Sequence, residues 1–124
     1  MFVQDIMVSD LVTIGPSASI ADAAAVMLQK GTTSLFVTHS DKLLGIITDS
    51  DILYSVVAQG FAPTEHQIWE FMDFNPPIAN PGMDILALIS LMDRYRLTKL
   101  PVIEEGKLIG TVTLADIAAK LDLM

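Results

Sequence analysis

A gapless internal repeat constrains this chain more than any other feature: displaced by 65 positions, residues 1–59 fall on residues 66–124. About 13 positions are identical where chance gives roughly 4. The matches are mostly apolar or turn residues: Met7 with Met72, Pro16 with Pro81, Ile20 with Ile85, Met27 with Met92, then Leu35, Val37, Leu43, Gly45, Thr48, Asp51 and Ile52 with Leu100, Val102, Leu108, Gly110, Thr113, Asp116 and Ile117. A chain of 124 residues is too short for two independent cores, so the copies are expected to pack together.

Each copy reads as a β-α-β-β-α unit. In the first, Val3 to Met7 forms a leading helical turn, and Leu11 to Ile14 is a short strand closed by Gly15 and Pro16. Ser19 or Asp22 starts a helix whose apolar positions Ile20, Ala23, Ala24, Met27 and Leu28 share one face, and Lys30-Gly31 stops it. Ser34 to Thr38 and Leu43 to Thr48 flank a polar hairpin turn, and Asp49 to Gln59 reads as a second helix. The second copy repeats the order with Pro77 to Ala79, Asp84 to Tyr95 with Asp84 as N-cap, Leu100 to Glu104, Lys107 to Thr113 and Ala115 to Leu123. The division is residues 1–60, a linker at 61–65 holding Pro63, and residues 66–124. A small sheet with helices on one side leaves an apolar face for the twin to cover, so the expected fold is α/β (α+β) with two units related by a pseudo-two-fold axis.

Charge and composition exclude several functions. A net charge of −8 repels nucleic acid and anionic membrane surfaces. No apolar run approaches the roughly 18 residues of a membrane span, and the start MFVQDIM lacks the basic residues of a secretory leader, so a cytoplasmic location is expected. The absence of cysteine removes disulfides, thiolate metal sites and a cysteine nucleophile. His39 and His66 lack metal-ligand spacing and read as turn or linker residues; no metal site, catalytic residue or catalytic cofactor is expected.

The chemistry sits in Gly45-Ile46-Ile47-Thr48-Asp49-Ser50-Asp51 and Gly110-Thr111-Val112-Thr113-Leu114-Ala115-Asp116, each closing a strand and opening a helix. The Thr hydroxyl and the free N–H groups of the first turn face an approaching anion, and the Asp carboxylate suits the vicinal hydroxyls of a ribose. The same spacing starts a helix by capping alone, and both readings stay open at this point.

The opening Asp5-Ile6-Met7, Leu11-Val12-Thr13-Ile14 with Pro16, Lys99-Leu100-Pro101-Val102, Lys107-Leu108-Ile109-Gly110 and both Gly-x-x-Thr-x-x-Asp turns resemble a tandem pair of cystathionine β-synthase (CBS) domains, a Bateman module, over essentially the whole chain. The resemblance implies two units packed sheet to sheet around a cleft, a homodimer of such pairs, and a regulatory ligand of the AMP, ADP, ATP or S-adenosylmethionine class rather than catalysis. It implies that Asp51 and Asp116 hold ribose hydroxyls and that Thr48 and Thr113 contact ribose or phosphate. It assigns Met7, Leu11, Val12 and Thr33 to the adenine at the Thr113/Asp116 site, and Met72, Pro77 and Thr98 to that at the Thr48/Asp51 site.

The sites are expected to be unequal. Pro77 has no N–H to give an adenine nitrogen, Asp49 puts a negative charge beside Thr48, and Phe36 stands where the family has a proline that the second copy keeps as Pro101. Lys99 is the expected phosphate-binding cation, and Thr113/Asp116 the better site. The leading function is therefore an adenosyl-ligand sensor signalling to an unidentified partner protein or domain, and the alternative is a structural dimerisation module without a ligand.

Overall fold

The structure is a computed structural model and describes residues 1–121. The first half of the chain forms β1 (Thr13–Ile14), followed by α1 (Ile20–Lys30), β2 (Ser34–His39), β3 (Lys42–Thr48) and α2 (Asp49–Asp51). The second half adds α3 (Ile85–Tyr95), β4 (Lys99–Glu104), β5 (Lys107–Thr113) and α4 (Leu114–Leu121). This is the mixed α and β order expected of two repeats, with Leu123 lying outside the described residues. Among the described residues no helix is long and apolar enough to cross a membrane.

Local chemistry accounts for the helix ends. Ser19 Oγ accepts the Asp22 N–H at 3.0 Å while the Asp22 carboxylate accepts the Ser19 N–H at 3.2 Å, a reciprocal cap that starts α1. Gly31 stops it in the left-handed region at φ 65°. Asp84 caps α3 by accepting the Leu86 N–H at 2.9 Å, and here a non-glycine residue, Arg96, takes the left-handed C-terminal position at φ 57°. The hairpin turns are Ser40-Asp41 and Glu105-Gly106, all four at positive φ, the geometry that a twisted two-residue hairpin demands.

The compact units are divided differently from the repeat. One unit is continuous, Val12–Pro76; the other is discontinuous, joining Met1–Leu11 to the chain from Pro77 onward. Each copy thus lends its leading segment to the body of the other. In the continuous unit, Ile68 and Met72 join Ile20, Ala23 and Met27 of α1 and Leu35, Val37 and Ile47 of the sheet in one core. In the discontinuous unit, Val3 and Ile6 join Ile85, Leu88 and Met92 of α3 and Leu100, Val102 and Val112. Val3 and Ile68 are fully buried, and each such aliphatic side chain contributes about 1.5–3 kcal/mol by leaving water.

Two further differences separate the copies. In the continuous unit β1 runs parallel to β2, with Thr13 paired to Phe36, and the Phe36 N–H donates to the Val12 carbonyl at 3.4 Å. Pro101 at the matching position has no N–H, so the expected strand at Pro77 to Ala79 shrinks to a single parallel bridge, Ala79 to Val102. The expected plain helix from Asp49 to Gln59 is corrected as well. After one α turn it widens at Ile52–Val57, where the Ala58 N–H reaches back five residues to the Leu53 carbonyl at 2.9 Å.

The glycines that open the two motifs explain how the exchanged segments dock. Val8 and Thr111 exchange both backbone hydrogen bonds at 2.8 Å, and Ile46 and Asp73 do the same at 3.0 and 2.9 Å. A Cβ on Gly110 would lie 2.9 Å from the Val8 carbonyl oxygen, and one on Gly45 would come within 2.4 Å of that of Asp73. Gly15 has nothing within 4 Å of such a Cβ. Gly45→Ala and Gly110→Ala are therefore expected to destabilise the protein by about 1–3 kcal/mol, Gly45→Ala the more, with Gly15→Ala near neutral, as read from urea midpoints.

Candidate functional site

Both Thr-x-x-Asp turns close as reciprocal caps. Thr48 Oγ1 accepts the Asp51 N–H at 3.2 Å and Asp51 Oδ2 accepts the Thr48 N–H at 2.9 Å. At the other turn Thr113 Oγ1 accepts the Asp116 N–H at 3.0 Å and Asp116 Oδ2 accepts the Thr113 N–H at 3.1 Å. The capping reading is therefore correct for both. It engages only one oxygen of each carboxylate, and among the described residues Oδ1 of Asp51 and of Asp116 has no hydrogen-bond partner. All four side chains are half-buried, so these oxygens remain within reach of a ligand.

The sheet sets what lies beside each turn. The last residue of β5, Thr113, pairs with the first residue of β4, Lys99, whereas Thr48 pairs with Ser34. Directly opposed residues of an antiparallel pair carry their side chains on the same face, with Cβ atoms about 4.5–5.5 Å apart. Lys99 thus stands on the same face of the sheet as Thr113, and the Thr48 turn has a hydroxyl in its place. The residue after each Thr sharpens the contrast: exposed Asp49 beside Thr48, exposed Leu114 beside Thr113. Partial burial pushes the Lys99 ammonium below its ordinary value.

The expected adenine-contacting residues divide between the units. Met7 and Leu11 share the discontinuous unit with Thr113 and Asp116, and the Met7 sulfur lies over Gly110, 3.4 Å from where a Cβ would be. Val12 and Thr33, expected at the same site, belong to the continuous unit, where the Thr33 carbonyl accepts the Asp49 N–H at 2.9 Å beside Thr48. Met72 shares the continuous unit with Thr48 and Asp51, its sulfur over Gly45 at 3.2 Å. Pro77 and Thr98 lie in the discontinuous unit, where the Thr98 carbonyl accepts the Leu114 N–H at 3.0 Å beside Thr113.

Asp116 also lines an open groove of about 290 Å³ with Asp5, Ile6, Ala119 and Lys120. Asp5 and Lys120 were missed from sequence. The i, i+4 spacing of Asp116 and Lys120 on a helix would have found the second, but nothing in the sequence brings Asp5 to α4. The Asp5 carboxylate caps its own turn by accepting the Phe2 N–H at 2.8 Å.

The two histidines sit at the end of a strand and against an aromatic pair. His39 closes the first hairpin opposite Lys42. His66 Nδ1 lies 3.1 Å from Glu70, its ring packs against Phe61 and Phe71, and its carbonyl accepts the Ile20 N–H. The backbone N–H of Gln67, then His66, hold the Glu70 carboxyl below its ordinary value. Among the described residues no group of three or more His, Asp or Glu side chains is placed to hold a metal ion.

Thr48→Ala and Thr113→Ala are each expected to cost about 1 kcal/mol through loss of the cap, measurable by chemical denaturation without ligand. For Lys99 the sign follows from its lowered value. The unfolded chain binds more protons than the folded one between the depressed folded value and the ordinary 10.5. Wild-type stability relative to Lys99→Gln should accordingly rise with pH through that window and level off above it, in paired denaturation series.

Comparison with known proteins gives a consistent picture. The family model described as "CBS domain" matches twice, at residues 3–58 and 68–122. The CBS domain-containing protein YhcV of Bacillus subtilis is 30% identical over 116 residues, 94% of this chain and 82% of that protein. Homoserine O-acetyltransferase of Methanohalobium evestigatum is 34% identical over 123 residues, but the chain spans 24% of its length. Among solved structures, the CBS domain pair of protein MJ0100 in complex with 5-methylthioadenosine and S-adenosyl-L-methionine is 27% identical with a TM-score of 0.81, covering 98% of this chain and 96% of that one.

Proposed function

The chain belongs to the CBS-domain family, and from that premise we propose that it is a non-catalytic regulatory module that binds an adenosyl ligand and passes the binding event to a partner protein or domain. The observation that carries this reading is the arrangement at the discontinuous unit's turn: the free carboxylate oxygen of Asp116 for a ribose hydroxyl, the Thr113 turn beside it, and Lys99 directly across the ladder for a phosphate. The MJ0100 complex supports the ligand class.

Thr113 and Asp116 form the preferred site for a phosphorylated ligand. Thr48 and Asp51 keep the ribose-binding geometry, but Asp49 and Ser34 replace the uncharged and cationic neighbours, so a phosphate chain is disfavoured there. Met7 and Leu11 contribute apolar contacts to the base at the first site and Met72 at the second. The roles of Val12, Thr33, Pro77 and Thr98 at the base remain part of this proposal.

The exposed Leu53, Tyr54 and Val57 on one helical stretch support a homodimer, since such a run of apolar surface favours cover by a second copy. A dimer unaffected by every adenosyl compound would favour the purely structural alternative.

Calorimetry and thermal shift with AMP, ADP, ATP and S-adenosylmethionine test the proposal. A ligand present at about 100 times its Kd should stabilise the fold by about 2.7 kcal/mol. Asp116→Asn should weaken binding of all four at least about tenfold, while Lys99→Gln should weaken only the phosphorylated ligands, by about tenfold. If none of the four stabilises the wild-type chain, the ligand-sensing role is wrong.

A further inference from the structure

Both ends of the helix that follows Thr48 are fixed. Thr48 and Asp51 cap its start reciprocally, at 3.2 and 2.9 Å. At the other end Gly60 takes the left-handed conformation at φ 78°, its N–H donates to the Val57 carbonyl at 3.1 Å, and the Phe61 N–H donates to the Val56 carbonyl at 3.0 Å. The Phe61 ring packs against His66 and Phe71, which ties this end to the body of the unit. Between the two ends lies the wide turn Ile52–Val57. A π turn is an α turn with one residue inserted, so this helix holds one residue more than an α-helix between the same ends.

Nothing in the local sequence demands that turn. Residues 49–59 contain neither glycine nor proline, the common breakers of a helix. The core selects its position: Val56 is fully buried, and Ile52 packs against the same cluster as Ile20 and Ile47. Leu53, Tyr54 and Val57 face solvent, each more than half exposed at 51%, 65% and 53%. The insertion begins one position after Asp51, whose second carboxylate oxygen has no hydrogen-bond partner among the described residues. A pull on that carboxylate therefore acts directly on the wide turn. Moving the insertion past one residue turns that residue by about 100° and carries it about 1.5 Å along the axis.

We propose that the wide turn is a register switch linking the Thr48/Asp51 turn to the apolar surface of Leu53, Tyr54 and Val57. A ribose hydroxyl bonded to the free oxygen of Asp51 shifts the insertion along the helix, and the exposed side chains change position while both helix ends stay anchored. The switch rests on the ribose-binding reading of Asp51; the spare residue that makes it possible does not. The helix after Thr113 is regular over Leu114–Leu121. The two turns thus differ in what they pass on as well as in the charge around them.

Two measurements on the full chain test the switch. Deletion of Tyr54 removes the spare residue and should leave the urea midpoint near that of the wild type. Deletion of exposed Ala25 from α1, a regular helix capped at both ends, should lower it by about 1 M or prevent folding. In the second measurement S-adenosylmethionine is added to Asp116→Asn, which leaves the Thr48/Asp51 site, and amide exchange over residues 52–60 is followed by mass spectrometry. Saturating ligand should change that exchange at least about threefold, and the same variant lacking Tyr54 should bind without the change. The proposal is overturned if deleting Tyr54 costs as much as deleting Ala25, if bound ligand leaves exchange over 52–60 unaltered, or if the variant lacking Tyr54 responds in full. Absence of calorimetric binding to Asp116→Asn overturns the switch together with the ribose-binding role of Asp51, whereas binding without a change in exchange overturns the switch alone.

Discussion

The close approach of two backbones at Gly45 and Gly110 is the constraint on which the architecture rests. In each unit a segment lent by the other copy lies against the last strand, and its carbonyl sits where a side chain on that strand would begin. The hydrogen bonds of Val8 with Thr111 and of Asp73 with Ile46 form only because Gly110 and Gly45 carry no Cβ. Once the segments are seated, Val3 and Ile68 complete the two cores, and the turns that follow three residues after each glycine are set at a defined height along the strand. The glycine of each motif thus serves the scaffold, and the Thr and Asp that follow serve both scaffold and site.

That double service removes a choice that the sequence leaves open. A carboxylate has two oxygens, and the cap takes one of them in both turns. Capping also orients the side chain, so the free oxygen is presented in a fixed direction instead of being one of several rotamers. A helix cap and a ribose contact are compatible here because they use different lone pairs of the same group.

The duplicated units share a plan but not their surroundings. Pro101 removes a donor that Phe36 supplies, and the parallel pairing is correspondingly shorter in one unit. The helix after Thr48 widens where the helix after Thr113 stays regular. Lys99 and Leu114 surround one turn where Ser34 and Asp49 surround the other. Each difference is a single side chain or hydrogen bond, and together they turn two copies of one motif into sites of different charge.

Much of this was legible in the residue order because it is local. The caps of α1 and α3, the hairpin turns and the strand register follow from Ser19 with Asp22, from Asp84, and from alternation around Ser40-Asp41 and Glu105-Gly106, interactions that span a few residues. Lys99 was singled out from composition, and its register opposite Thr113 is what gives that choice a geometric reason. The tertiary structure decided what local chemistry leaves degenerate. Two similar leading segments fit two similar bodies, so nothing in the repeat says which pairs with which. The approach of Asp5 to Asp116 joins residues from separate elements. What the sequence determined by itself is a pair of Gly-x-x-Thr-x-x-Asp turns at strand ends. Only the packing of the exchanged segments decided which residues surround each turn, because that packing depends on long-range fit between surfaces that the repeat made nearly alike.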